Sequence, residues 1–135
     1  MQQSQKVTIV GLRYVSLYFL RYDEAITIYT NVFGEPNYFE EPGIVGYKMG
    51  DTWLTIFPAH SGTSKESDPR NTEFAIQVST PEEVDTLYMS LIIAGAVECM
   101  APSDTKMYEP MRFDCVDDPF GVRIDVYCPL RESDL

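Results

Sequence analysis

The sequence predicts an α+β domain built from two β-α-β-β-β units, and three observations lead to this prediction. The chain has 135 residues, a length that suits one domain with a sizeable core. Hydrophobic residues make up 44% and charged residues 23%, as in folded globular proteins. An internal repeat gives the order of elements, because a strand pattern followed by a helix pattern occurs once in each half of the chain.

The first unit, residues 7–58, begins with a β-branched and aromatic run over residues 7–19 that alternates between two faces from Tyr14 onward. A helix with Asp23 and Glu24 at its start follows, and Gly34 and Pro36 end it. Its apolar stripe consists of Ala25, Ile28, Tyr29, Val32 and Phe33. Three short strands over residues 38–40, 44–49 and 52–57 complete the unit.

A polar linker, residues 59–71, leads to the second unit, residues 72–129. A strand over residues 73–78 precedes a helix, whose start carries a capping box from Thr80 to Glu83 with Pro81 at its first position. The apolar stripe of this helix consists of Val84, Leu87, Tyr88, Leu91 and Ile92, and Gly95 closes the helix. We expect a strand over residues 97–100, a loop over 102–110, and a hairpin of strands 111–116 and 122–127 around a turn at 118–121.

Charge and cysteine content exclude several function classes. The formal net charge of −11 repels phosphate backbones and anionic lipid, so neither nucleic acid nor a membrane surface is an expected partner. Three widely spaced cysteines suggest neither a disulfide framework nor a Cys-x-x-Cys metal site, which indicates a reducing compartment. No apolar run approaches the ~20 residues of a membrane helix or fits a signal peptide. We therefore expect a cytoplasmic protein.

Two motifs resemble a known family. Residues 14–25, Tyr-Val-Ser-Leu-Tyr-Phe-Leu-Arg-Tyr-Asp-Glu-Ala, lead to Val-Phe-Gly at 32–34, and residues 117–126 read Asp-Asp-Pro-Phe-Gly-Val-Arg-Ile-Asp-Val. Together they are similar to the vicinal oxygen chelate superfamily, which includes glyoxalase I, bleomycin-resistance proteins and extradiol dioxygenases. The resemblance covers residues 7–129 and implies a curled mixed sheet around a cleft, and a homodimer with its units either side by side or exchanged between chains.

The strand alternation assigns the two faces of each sheet without reference to the family. Side chains expected against the helices are Val15, Leu17, Phe19, Phe74, Ile76, Val78, Val122, Ile124 and Val126. Side chains expected in the cleft are Tyr14, Ser16, Tyr18, Trp53, Thr55, Phe57, Glu73, Ala75, Gln77, Arg123, Asp125 and Tyr127.

The resemblance also locates the positions that bind metal in metal-dependent relatives. These positions hold Tyr14, Thr55, Glu73 and Asp125, a set with no imidazole. Two carboxylates, Glu73 and Asp125, are weak candidates for Mg²⁺ or Mn²⁺ and do not resemble a zinc, nickel or iron site. The single histidine, His60, is expected in a loop. We therefore expect no metal cofactor, with a divalent ion as the alternative.

The candidate ligand-binding residues combine aromatic walls with a few polar groups, the usual composition of a small-molecule pocket. They are Tyr14, Tyr18, Trp53, Thr55, Phe57, Glu73, Gln77, Arg123 and Asp125. Trp53 is the leading candidate for ligand contact, and the facing of Tyr108 and Phe113 is undetermined. No catalytic residue is assigned.

Three interpretations of the polar residues stay open. Arg123 can pair with Asp125 or Glu73 in a charge cluster that touches ligand, the pairing can be purely structural, or the acids can bind a metal. If both acids are buried close together, one carboxyl pKa rises, and a proton-transfer role becomes conceivable.

The predicted function is binding of a small organic molecule in an aromatic-lined cleft without a complete metal site. The alternative is a metal-dependent lyase, isomerase or dioxygenase of the same superfamily, in which the metal stabilises an oxyanion. An interaction module without a small-molecule site is a third possibility.

Overall fold

The computed structural model describes residues 10, 12–41, 43–59, 69 and 72–135, which form two four-stranded mixed sheets with one α-helix each. The elements of the first half are β1 (Tyr14–Phe19), α1 (Tyr22–Phe33), β2 (Tyr38–Glu40), β3 (Ile44–Met49) and β4 (Thr52–Pro58). The elements of the second half are β5 (Thr72–Gln77), α2 (Pro81–Ile93), β6 (Val97–Met107), β7 (Glu109–Asp117) and β8 (Val122–Pro129), followed by a 3₁₀ turn (Glu132–Asp134). The predicted α+β class and the repeated β-α-β-β-β order are confirmed.

The two sheets have the same topology. The strand order is β1-β4-β3-β2 in the first sheet and β5-β8-β7-β6 in the second. The first strand of each half pairs in parallel with the last strand of that half, and the remaining pairs are antiparallel. Each helix is the crossover between its first strand and the rest of its sheet, so β1 and β5 are both edge strands.

The helix boundaries follow the predicted signals. Asp23 and Glu24 lie in the first turn of α1, and Gly34 closes this helix at a φ of 91°, a conformation that glycine adopts without steric cost. At the start of α2, the Thr80 hydroxyl accepts a hydrogen bond from the Glu83 backbone N–H, and the Glu83 carboxylate accepts one from the Thr80 N–H. This reciprocal pair is the predicted capping box.

One apolar core lies on the helix side of both sheets. The apolar residues of β1, β5 and β8 that were expected against the helices belong to this core or pack against it. Its largest fully buried side chains include Tyr29, Tyr47, Phe19, Phe120 and Ile56. The face of each sheet that is turned away from its helix is called the open face below, and the functional candidates lie there.

The turn between β7 and β8 joins the two halves. Asp118 accepts hydrogen bonds from the backbone N–H groups of Phe120 and Val122 at 2.8 and 2.9 Å, as the predicted turn requires. Its second oxygen accepts a hydrogen bond from the buried Tyr29 hydroxyl of α1 at 2.9 Å. The Phe120 ring meets Phe19 of β1 edge-on at 5.2 Å between centroids. This contact set, called the joint below, fixes α1 and β1 against the second sheet.

The prediction of a loop over residues 102–110 is wrong. β6 continues to Met107 and pairs with β7 over its whole length, so these residues form a long hairpin. Pro102 lies where the register shifts between Met100 and Ser103, on an edge strand, which is a position in a sheet that tolerates proline. Only Tyr108 forms the turn, at a φ of 67° and fully exposed.

Two expectations fall partly outside the described residues. The first strand begins at Tyr14 rather than at residue 7, and Val10 and Leu12 before it are exposed, while residues 7–9 and 11 are not described. Most of the predicted linker, including His60, also lies outside the described residues. Within the described part of the chain, no helix has the length and apolar character needed to cross a membrane.

Candidate functional site

The open face of the first sheet carries a row of aromatic side chains. Register places Tyr14 beside Trp53 and Tyr18 beside Phe57, because β1 and β4 are parallel neighbours. The Tyr18 and Phe57 rings stack with centroids 4.8 Å apart. Thr55 lies between Trp53 and Phe57 on β4, so all five predicted residues of this half share one face.

Trp53 is held in place by its neighbours on β3. The Lys48 ammonium lies 5.3 Å from the centroid of the Trp53 ring, in cation–π range. Gly46 lies under the same ring, since a Cβ there would come within 3.1 Å of Trp53 Cε3. Gly46 and Lys48 therefore both lie against the indole, and the rest of the Trp53 side chain is partly exposed.

The open face of the second sheet contains a pair of acids. Asp125 lies on β8 next to β5, and its carboxyl is hydrogen-bonded to Glu73. Burial, this hydrogen bond and the charge of Glu73 raise the pKa of Asp125 to about 7. Only Asp125 is buried in part, whereas Glu73 is exposed, so the condition that both acids are buried close together is not met. Asp125 Oδ1 is buried without a hydrogen-bond partner in the described part of the chain.

Arg123 pairs with neither of these acids. Its guanidinium makes a two-pronged ion pair with Asp117 of β7, with Nε–Oδ1 at 2.8 Å and Nη2–Oδ2 at 3.0 Å. Asp117 lies directly opposite Arg123 in the β7–β8 register, whereas the expected pairing with Asp125 or Glu73 is not formed. Glu73 is directly opposite Arg123 on the other neighbouring strand, β5, so the register alone does not select Asp117. The planar two-pronged geometry of the Asp117 pair is the arrangement that arginine and carboxylate favour.

Beside the acids on the same face lies a small apolar cluster of Met111, Phe113 and Cys115, with Cys99 and Tyr127 packed against it. Phe113 therefore belongs to this open face, whereas Tyr108 lies at the hairpin turn. The Tyr127 hydroxyl donates a hydrogen bond to Gln77 Oε1 at 3.3 Å. This contact places Gln77 at the edge of the same face.

A cavity of about 880 Å³ is lined by residues of both halves, among them Val15 of β1 and residues 73–77 of β5. Its lining includes Trp53, Leu54, Glu73, Phe74, Gln77 and Leu87. Residues from the open and helix faces both contribute, so the cavity extends from the open face into the space between the halves. Among the predicted ligand-binding residues, Trp53, Glu73 and Gln77 line this cavity.

The other predicted site residues lie on the open faces, outside the lining of this cavity. They are Tyr14, Tyr18, Thr55 and Phe57 on the first sheet, and Arg123 and Asp125 on the second. The apolar residues that deepen the cavity, Phe74 and Leu87 among them, were expected only in the core. Strand alternation assigns a residue to one face, and it does not reveal a gap at the sheet edge to which both faces contribute.

The residues at the family's metal-binding positions do not fit a transition-metal centre. Tyr14 is 68% exposed, Thr55 offers a neutral hydroxyl, and Glu73 and Asp125 share a hydrogen bond with each other. Zinc, nickel and iron favour nitrogen or thiolate ligands, which these four positions lack. In the described residues, no three His, Cys, Asp or Glu side chains are grouped so that they can hold a metal ion.

Sequence reasoning missed two features of the second sheet. Asp114 of β7 is fully buried on the helix side, and neither carboxylate oxygen has a partner within the described residues. Cys99 and Cys115, sixteen positions apart, are neighbours in the apolar cluster of the open face. A correct β6–β7 register would have revealed the cysteine pair, but the expected loop over residues 102–110 concealed it.

Two repeated β-α-β-β-β units with a cavity lined by residues of both define a paired-unit α+β fold. A family model described as the glyoxalase/bleomycin resistance protein/dioxygenase superfamily matches residues 11–126. The chain belongs to this superfamily. No curated protein sequence matches it.

Three solved structures illustrate the similarity of this fold to known proteins. A glyoxalase/bleomycin resistance protein/dioxygenase from Nocardioides is 19% identical at a TM-score of 0.73, over 94% of this chain and 88% of that one. A glyoxalase/bleomycin resistance protein/dioxygenase family enzyme from Burkholderia phytofirmans PsJN is 22% identical at a TM-score of 0.73, over 90% and 100%. A lactoylglutathione lyase from Agrobacterium tumefaciens is 19% identical at a TM-score of 0.69, over 90% and 95%. Similarity at this level of identity shows the fold.

Proposed function

We propose that this protein binds a small organic molecule in the cavity lined by both halves, and that binding requires no metal ion. The observation that carries the proposal is the cavity itself. Its volume of about 880 Å³ falls in the ~300–1,000 Å³ range of small-molecule sites. Apolar side chains such as Leu54, Phe74 and Leu87 line it together with a few polar ones, Glu73 and Gln77 among them, which is the usual composition of such sites.

The polar residues of the cavity lining support a cationic or hydrogen-bond-donating ligand. Glu73 lines the cavity and is exposed, so its carboxylate is available to an ammonium or amidine group. The half-exposed face of Trp53 offers a stacking surface to a planar ring. The net charge of −11 supports the same ligand class, and it opposes binding of a nucleic-acid phosphate backbone or of an anionic membrane surface.

Trp53 is the single tryptophan of the chain, so its fluorescence reports on the cavity directly. We expect planar cationic compounds to quench or shift its emission in a saturable way, and mass spectrometry of the mixture to recover the compound unchanged. Calorimetry of the same pairs separates binding from optical artefacts. No saturable binding across the panel would contradict the proposal, and conversion of the compound would replace a binding role by a catalytic one.

A charge-removing variant tests the role of Glu73. Glu73→Gln keeps the shape of the side chain and is expected to weaken the binding of cationic compounds by about tenfold, because a hydrogen bond to a charged group contributes about 1.5–3 kcal/mol. Neutral compounds of the same shape should bind equally well to both proteins. Glu109→Gln is the matched control, since it makes the same change in charge at an exposed residue outside the cavity lining.

Metal content decides between this proposal and the metal-dependent alternative. We expect protein purified without chelator to contain substoichiometric metal, and chelator treatment to leave ligand affinity unchanged. Stoichiometric zinc, nickel, manganese or iron in elemental analysis would favour a lyase, isomerase or dioxygenase instead.

We propose the cytoplasm as the working compartment and a homodimer as the working form. The three free cysteines support a reducing compartment. Exposed aromatic side chains on β1 and β2 support self-association, since Tyr14, Tyr38 and Phe39 are 68%, 47% and 59% exposed in the single chain. Light scattering of the purified protein checks this, and a mass of one chain would contradict the dimer.

A further inference from the structure

A β-bulge in β6 brings two of the three cysteines together on the open face of the second sheet. Glu98 pairs with Val116, and the next pair joins Met100 to Cys115, so the extra residue at the register shift is Cys99. A bulge of this kind sets two residues of one strand against one residue of its partner. Cys99 and Met100 therefore both oppose Cys115.

The two cysteines are neighbours on this face. Burial raises the pKa of Cys115 to about 12, and the nearby Cys99 thiol adds to this rise. Cys99 also packs against the apolar cluster that contains Cys115. Neighbouring strands of a sheet lie about 4.7–4.9 Å apart, a spacing compatible with the ~4.4–6.8 Å between the Cα atoms of a disulfide. The bulge therefore brings the two cysteines to a strand spacing at which a disulfide can form.

The burial of the three cysteines separates their roles. Cys99 is half-buried and can be reached from solvent, whereas Cys115 is 3% exposed. Cys128 is 5% exposed and belongs to the core on the helix side of β8, the opposite face of the sheet. An external reagent therefore meets Cys99 first, and Cys115 is the only thiol beside it in the described part of the chain.

We propose that Cys99 and Cys115 are an oxidation site that forms a reversible disulfide by exchange with a small-molecule disulfide such as oxidised glutathione. Cys99 loses its proton to solvent, and its thiolate attacks one sulfur of the small disulfide. A mixed disulfide forms, and the released small thiolate takes up a proton. Cys115 then loses its proton and attacks the Cys99 sulfur, which releases the second small thiol. The protein gives up two electrons and two protons, and the small disulfide is reduced to two thiols.

Oxidation of Cys99 and Cys115 would place a disulfide next to the acid pair of the open face. Cys115 lies directly opposite Asp125 in the β7–β8 register, so the new bond forms beside the acid pair on the open face. In a reducing compartment such a disulfide forms only under oxidative conditions, as is usual for disulfides of redox-responsive proteins. Formation of this disulfide does not depend on whether the cavity binds a ligand.

Oxidised glutathione applied to the reduced full-length protein tests the inference. The expected product has lost two hydrogen atoms, and peptide mass mapping after alkylation in denaturant should link Cys99 to Cys115 while Cys128 is alkylated. Dithiothreitol should restore all three thiols. Unmodified Cys99 and Cys115 after this treatment, a disulfide that includes Cys128, or a disulfide between two chains would each overturn the inference.

Serine variants separate the two steps. Cys115→Ser is expected to stop at a glutathione adduct on Cys99, because the second thiol is missing. Cys99→Ser is expected to stay unmodified, since Cys115 is buried. Cys128→Ser is the matched control and should form the disulfide as the wild type does. Circular dichroism confirms the fold of each variant, and the wild-type peptide map decides the question even if a variant does not fold.

Discussion

At the scale of single residues, the most unusual group is Asp114, a fully buried carboxyl without a partner among the described residues. Burial and the nearby charge of Asp85 on α2 raise its pKa to about 7, and Arg112 only partly offsets this effect. Arg112 instead makes ion pairs with Asp85 at 2.7 Å and with Asp104 at 2.9 Å. Asp114 thus faces an arginine that is already engaged with two other carboxylates.

The raised pKa of Asp114 makes stability depend on pH in a definite direction. Because the folded state holds this proton more tightly than the unfolded chain, the stabilisation is complete below the unfolded pKa of ~3.9 and is lost as pH rises through about 7. Asp114→Asn cannot ionise, so its free energy of unfolding should exceed that of the wild type by about 1–3 kcal/mol at pH 8. Near pH 4 the two proteins should be almost equal.

Urea unfolding of both proteins between pH 4 and pH 8 measures this difference. Asp104→Asn is the control, because Asp104 is an exposed member of an ion pair and should cost less than about 1 kcal/mol with little change in pH slope. A difference between Asp114→Asn and wild type that is the same at every pH would contradict the assignment.

Sequence could not identify Asp114 as buried, and the reason is local. It lies between Phe113 and Cys115 on β7. An acidic residue between two apolar ones in a strand is expected to point away from the core. A charged residue at an inward position looks like an error in the pattern until the strand pairing is known. Glu73 and Asp125 were recognisable because strand alternation placed both on the cleft face, whereas the two-pronged partner of Arg123 emerged only from the β7–β8 register.

At the scale of elements, the capping box of α2 has the clearest expected effect. The Thr80 hydroxyl accepts a hydrogen bond from the Glu83 N–H at 3.3 Å, so Thr80→Ala should lower the free energy of unfolding by about 1 kcal/mol. Thr86→Ala is the matched control in the same helix, because the Thr86 hydroxyl only donates to the Glu82 carbonyl within the helix. Thermal or urea unfolding compares the two variants. An equal loss of unfolding free energy in both would mean that the Thr80 cap adds no stability beyond that of a hydroxyl inside the helix.

The elements differ in how well the sequence predicted them. Both helices and the strand β3 matched their patterns because caps, glycines and periodicity act within a few residues. The β6–β7 hairpin did not, since proline and polar residues suggested a loop, and long-range pairing with two register shifts overrode that local preference. The sequence therefore predicted the elements that depend on neighbouring residues, and it did not predict the hairpin that depends on long-range strand pairing.

At the scale of the whole molecule, the joint determines how the halves depend on each other. The Tyr29 hydroxyl and Asp118 are both buried, so removal of the hydroxyl leaves a buried acceptor without this donor. Tyr29→Phe should lower the free energy of unfolding by about 1–3 kcal/mol. Tyr38→Phe is the control, because Tyr38 is exposed and bonds only to nearby Glu40.

A double-mutant cycle with Asp118→Asn isolates the contact from other effects of each change. We expect the two substitutions to be non-additive by about 1 kcal/mol or more, as for contacting residues in one network. Additive losses would mean that the hydrogen bond does not couple the halves. Urea unfolding followed separately by Trp53 fluorescence, which reports on the first half, and by circular dichroism should give one transition in the wild type.

The raised pKa values of Asp114 and Asp125 also make the negative charge of the folded protein near neutral pH smaller than the formal value. The formal value of −11 counts every acid as ionised, yet Asp114 and Asp125 both take up protons near neutral pH. Buffering in this range normally comes from histidine, and this chain has one. The folded molecule is thus a proton buffer at physiological pH through two aspartates, and its electrophoretic mobility there reflects folding as well as composition.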